Sequence, residues 1–296
     1  MSFNQLSYHY AYLTIKSEEN LDAWWDTNVV NEMALAMANN PVLQHHADFN
    51  FRCECHPQKE GVDFAEVSQA SVSHCLLNFG RNACFEEALD AWLSIVYQHI
   101  QAPLAAVDLQ VTLHWVVHGC NFQDADFYLH ASTLHCLKQL HASVQIRGYC
   151  FDDGQDFPYS AAVPFEMAYA HTVDEPTDKV CALRIEVDDV HAASAWTGLN
   201  LPLSDVSTHE TTLYLEAWRH EHPSSLSYVL QAAWNDLKEH RCQLDQFKQA
   251  TGARYSLWFI DFLPRQYTLT WDAAEVALLA EVQCDLNGDV YFDTRF

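Results

Sequence analysis

A chain of 296 residues, 49% hydrophobic and 13% aromatic, can fill one large core or two ordinary ones; two is the expectation, because single cores stop growing near about 250 to 300 residues. Its 40 acidic residues against 15 basic ones give a formal charge of -25, which belongs on the surface because isolated charges are costly to bury. Such a surface repels a phosphate backbone and an anionic membrane, which argues against nucleic-acid and membrane partners, and it attracts a basic protein.

In chain order, AYLTIKSEENLDAWW (Ala11 to Trp25) reads as an alternating strand, an acidic turn at Glu18 and Glu19, and a helix carrying Trp24 and Trp25. A strand follows at Ser71 to Asn78. In Glu86 to Ile100, Leu89, Trp92, Leu93 and Val96 recur at helical spacing. Val111 to Gly119 alternates as a strand, and Phe127 to Asp152 reads as a short strand, a short helix and a terminal hairpin. Asp153 to Asp178 holds three prolines and no clear period, which suits a linker. The pattern then returns: Ala182 to Trp196 as strand, acidic turn (Asp188 and Asp189) and Trp-bearing helix, Glu210 to Trp218 as strand, Ser227 to His240 as helix, Thr251 to Phe259 as strand and Tyr267 to Asp293 as the closing segment.

The two series overlay. A shift of 140 residues lays Leu129 on Leu269, Val144 on Cys284, Ile146 on Leu286 and Gly148 on Gly288. The openings need a shift near 170, so the first copy carries roughly 30 extra residues, placed between Thr27 and Glu66. The expectation is therefore an α+β chain made of two diverged copies of a two-layer α/β sandwich with mainly antiparallel sheets, arranged as a pseudo-symmetric pair. The first copy spans 1–152 with an insert at about 28–65, the linker spans 153–177, and the second copy spans 178–296.

The opening strand with its acidic turn and Trp-bearing helix (Leu183 to Leu199), the central long helix and the closing ALLAEVQCDLNGDVYFD resemble the bacterial domain of unknown function 4279 family. The likeness is better in the second copy. It brings no catalytic residues, but small acidic proteins of this kind resemble the immunity proteins with which bacteria neutralise a cognate toxin.

The chemistry legible in the residues is sparse. Phosphate-cradling Gly-rich loops, G-x-S-x-G and H-E-x-x-H are all missing, and only 8 glycines are present. His45, His46, Cys53, Cys55 and His56 are zinc-type ligands at the wrong spacing; in FNFRCECHP a strand puts Phe49, Phe51, Cys53 and Cys55 on one face as small apolar residues. His220, Glu221 and His222 beside His209 form a second cluster that could bind a metal or act in proton transfer, for which a solvated turn before Pro223 is the preferred explanation. The paired acids suit helix N-termini, and Trp24, Trp25, Trp92, Trp196 and Trp234 suit cores. No cofactor and no metal site is expected.

These readings converge on a cytoplasmic binding protein rather than an enzyme: an immunity protein that occludes the active site of a basic toxin. Ten irregularly spaced cysteines without C-x-x-C read as buried thiols in a reducing compartment, and the N-terminal stretch lacks a secretory pattern. Glu54, Glu60, Asp63 and Glu66 in the insert are the candidate contacts, because that segment breaks the symmetry. A small-ligand regulatory module with its pocket between the copies is the alternative, and an enzyme built on the histidine and carboxylate clusters the third reading.

Overall fold

The computed structural model describes residues 8–17, 27–44, 52–57, 71–80, 85–106, 110–120, 127–151, 179–188, 203–209, 212–223, 225–263 and 266–292. Twelve strands and six helices lie among them. The strands are β1 (Tyr8–Ser17), β2 (Arg52–Pro57), β3 (Ser71–Gly80), β4 (Gln110–Cys120), β5 (Phe127–Leu129), β6 (Ser143–Phe151), β7 (Lys179–Val187), β8 (Leu203–His209), β9 (Thr212–His222), β10 (Arg254–Leu263), β11 (Gln266–Trp271) and β12 (Cys284–Phe292). The helices are α1 (Thr27–Ala38), α2 (Pro41–Gln44), α3 (Phe85–Ala106), α4 (Ala131–Gln139), α5 (Leu226–Thr251) and α6 (Ala273–Val282). The class is α+β. Among the described residues, no helix is long and apolar enough to cross a membrane.

Among the described residues the strands form two six-stranded sheets, one in the order β11-β6-β4-β1-β3-β2 and one in the order β5-β12-β10-β7-β9-β8. The compact units are not contiguous in sequence. One gathers Met1–His118, Ser132–Tyr149 and Tyr267–Ala277, and the other Gly119–Ala131, Cys150–Gln266 and Leu278–Phe296. Thus β5, which falls between β4 and β6 in sequence, is an edge strand of the second sheet, and β11 is an edge strand of the first.

In the first unit, β1 pairs antiparallel with both β3 and β4, and Ala11, Leu13 and Ile15 sit opposite Trp115, Leu113 and Val111. All six are buried, as period-2 alternation on a covered sheet requires. Helix α3 presents Ala88, Leu89, Trp92, Leu93, Val96 and Ile100 to this core. Met33 and Met37 of α1, Leu43 of α2 and Leu134 and Leu137 of α4 are buried as well. The side chain of Asn40 caps α2, accepting the amide hydrogen of Val42 at 2.9 Å. The segment 28–65 expected as an insert holds α2, β2 and most of α1 among its described residues, and β2 runs antiparallel to β3 at the sheet's end.

In the second unit, α5 buries Leu226, Val229, Ala233, Trp234, Leu237, Leu244 and Phe247 along one stripe. It extends well past the expected end at His240. Ser225 caps its start by accepting the Tyr228 amide hydrogen, and Gly252, at φ 70, closes it by donating its amide hydrogen to the Lys248 carbonyl. The strand expected from Thr251 therefore begins only at Arg254.

The closing hairpin is the main correction to the expected elements. Asn287-Gly288 looks like a turn signal, yet β12 runs straight through it from Cys284 to Phe292. It lies parallel to β10, which makes this sheet mixed, since β7–β10, β7–β9, β8–β9 and β5–β12 are antiparallel. Packing explains the glycine: a Cβ there would lie 2.5 Å from ring carbons of both Phe127 and Phe259.

Candidate functional site

The two faces of the second sheet are sorted by one contact. The Tyr255 hydroxyl donates to the Leu244 carbonyl of α5 at 2.7 Å, so Tyr255 and its register partners Ile185 and Cys284 face the helix. By alternation Ser256, Trp258 and Ile260 face the other way. On that second face Val180, Ala182 and Trp258 form a small buried cluster with Ile260 packed against it.

Across this face runs a row of three side chains from three adjacent strands. The Arg184 guanidinium of β7 lies over the Trp258 ring of β10, its carbon 3.4 Å from the centroid. The Trp258 Nε1–H donates to Asp289 Oδ2 of β12 at 2.7 Å. Burial pulls the Arg184 pKa below its ordinary value, opposed by the charges of Asp289 and Glu216 and aided by that of Arg219. Neighbouring β9 supplies Arg219, which holds Glu216 at 3.1 Å and also pairs with Glu221. Ser204 of β8 donates to the Glu216 carbonyl and carboxylate at 3.0 and 3.2 Å. At the far end Arg254 clamps Glu186 at 2.7 Å and Asp188 at 2.8 Å.

A bulge in β9 sets which side chains reach which face. Between the pairs Leu183–Ala217 and Cys181–His220, β9 carries one residue more than β7. Trp218 takes up the extra length at φ 52, unusual for a bulky residue. Trp218 stacks on His240 of α5 at 5.4 Å, His220 pairs with Asp236 at 2.6 Å, and His222 packs against Tyr228. Glu221 turns to the other face to meet Arg219. At the end of the helix-covered face, buried Asp261 pairs with Lys179.

The expected histidine cluster is therefore dispersed. His220 and His222 serve the α5 packing, Glu221 lies on the opposite face, and His209 pairs with Thr212 at the other end of β9, about 27 Å from His220 at the usual strand rise. On β2, Cys53 sits opposite Cys75, Glu54 opposite His74, Cys55 opposite Ser73 and His56 opposite Val72. No group of three or more metal-ligating side chains occurs among the described residues. Glu60, Asp63 and Glu66, along with His45, His46, Glu18, Glu19, Asp189, Trp24, Trp25, Trp196 and the linker 153–177, lie outside the described residues. Trp92 and Trp234 are buried core residues.

Strand β8 closes the second sheet, its one neighbour among the described residues being β9. Ser204 to Thr208 are all exposed; Val206, opposite Leu215, is 54% accessible, and Tyr214, opposite Ser207 and so on the other face, is 41% accessible. The Val206 amide donates to the carboxylate of Asp205 at 2.8 Å. Glu54 occupies the matching last strand of the first sheet, β2. Neither the Arg184–Trp258–Asp289 row nor the β8 edge is marked in the sequence, because both depend on which strands become neighbours.

No protein-family model matches the chain, and no curated protein matches it. Among solved structures, an unknown protein from Galdieria sulphuraria aligns over 85% of this chain and 97% of its own at 11% identity, with a TM-score of 0.19. A likeness that low carries no argument.

Proposed function

We propose that this chain is a binding protein of the immunity type, which docks a basic partner and neutralises it by occlusion. The observation that carries the reading is strand β8, a sheet edge exposed from Ser204 to Thr208 and bearing Val206, in a chain of net charge -25. An extended partner segment adding to that edge gives a carbonyl to the Val206 amide and a cation to the Asp205 carboxylate it displaces. The acidic surface steers the encounter, and Val206 supplies an apolar contact. Glu54, on the corresponding edge strand β2, together with Glu60, Asp63 and Glu66, forms the second set of candidate contacts.

The same reading treats the chain as two diverged copies with boundaries at 1–152 and 178–296. What supports it is that β1, β2, β3, β4 and β6 hold the same places in their sheet as β7, β8, β9, β10 and β12 hold in theirs, with β11 and β5 exchanged. The working compartment is the cytoplasm, and the kinship is with the domain of unknown function 4279 family.

An affinity pull-down from bacterial cytoplasm at low and high salt tests the function. A basic protein retained at low salt, weakened at high salt and lost with Asp205→Lys is the expected result. A folded variant set, Asp205→Lys and Glu54→Lys, that captures the same proteins as the parent chain overturns the reading.

A further inference from the structure

Arg184 stands apart from the other described arginine side chains. Arg219, Arg241 and Arg254 each hold a carboxylate, and Arg147 donates twice to Gln145. The Arg184 guanidinium holds no acceptor among the described residues, in a chain with 40 acidic residues, and it is exposed. Its contact is the Trp258 ring, itself only 5% accessible and tethered at its edge by Asp289. A planar cation laid on a fixed ring keeps its N–H groups in one plane, the geometry that receives a carboxylate in a two-point bond.

The surroundings narrow the ligand. Asp289 and Glu216 lie close enough to act on Arg184, yet each is engaged elsewhere, Asp289 through Oδ2 with Trp258 and Glu216 through Oε1 with Arg219 and Ser204. A bare anion arriving at Arg184 meets those carboxylates as well as the field of a -25 chain. A molecule with its own cation beside its carboxylate meets neither penalty. Asp289 keeps Oδ1 for that cation, and one indole sets the spacing between the two ends of the site.

We propose that Arg184, Trp258 and Asp289 form a binding site for a small zwitterion of the α-amino-acid type, its carboxylate on the Arg184 guanidinium and its ammonium on Asp289 Oδ1. The site is independent of the β8 edge and of any protein partner.

The test uses full-length protein labelled with nitrogen-15 at arginine, in which the Arg184 Nε–H signal is identified by its loss in Arg184→Lys. Free α-amino acids, the matching amino-acid amides and acetate are titrated in separately. A saturable shift of the Arg184 signal by at least one amino acid, not reproduced by its amide or by acetate, is expected, with Asp289→Asn weakening the binding about tenfold. No saturable shift from any amino acid, or an equal shift from amide or acetate, overturns the proposal. Neither outcome bears on the pull-down, so the two ideas stand or fall separately.

Discussion

Asp285 of β12 accepts the hydroxyl hydrogen of Tyr128, 157 positions away in sequence, and its second oxygen takes the Ala131 amide hydrogen at 2.7 Å. One carboxylate thereby ties Tyr128 of the three-residue strand β5 and the backbone of Ala131 to the second sheet. Burial and then the bond to Asp285 push the Tyr128 hydroxyl pKa well above its ordinary value.

Replacing that carboxylate leaves two donors without their acceptor. Asp285→Ala is expected to lower stability by about 2 to 4 kcal/mol, and Asp285→Asn by less because an amide oxygen remains. Urea unfolding of the two variants checks the order; equal losses contradict it.

Two glycines are needed for different reasons, and alanine separates them. At Gly252 nothing lies within 4 Å of an added Cβ, so Gly252→Ala costs only the strain of φ 70, about 1 kcal/mol. At Gly288 the new carbon strikes two buried rings, and a loss of about 1 to 3 kcal/mol is expected. Adding Phe127→Leu recovers part of the second loss and none of the first, read as urea midpoints.

Lys179 and Asp261 pair at the end of the helix-covered face, where their side chains are 13% and 2% exposed. Lys179→Met leaves the buried carboxylate without this counter-charge and is expected to cost about 3 kcal/mol. The double variant Lys179→Met with Asp261→Leu recovers most of that. A double-mutant cycle in denaturant measures the coupling, and additive losses exclude it.

Asp188 reports on its clamp. The hydrogen bond and charge of Arg254 hold its carboxyl pKa below the ordinary carboxylate value. The sign follows: the pair's contribution is present above the unfolded-state pKa and fades as pH falls through the lower folded-state value. A carbon-13 titration of the Asp188 carboxyl is expected to show this depression, and Arg254→Gln to return it to the ordinary range. At this exposed site high salt shrinks the difference.

The helices and many strands are legible in the amino-acid sequence alone. Leu89, Trp92, Leu93 and Val96 announce α3, and the stripe from Val229 to Leu237 announces α5, because a helix face repeats every 3.6 residues whatever it later packs against. Alternation likewise places β3, β4 and β9 within a few residues. The expected stop of α5 at His240 fails because polar residues from Glu239 to Gln243 interrupt the stripe before Leu244 and Phe247 resume it. Asn287-Gly288 fails as a turn because its glycine answers to Phe127 and Phe259, which reach it through tertiary packing.

Periodicity and composition, which are local, determined most of the described element types, the α+β class and the acidic character of this protein. The tertiary structure alone decided that β12 lies parallel to β10, that β5 and β11 each complete a sheet other than that of their sequence neighbours, and that Arg184, Trp258 and Asp289 share one face. Those outcomes rest on strand order and register, which long-range hydrogen bonding and side-chain packing select and no short stretch of sequence encodes.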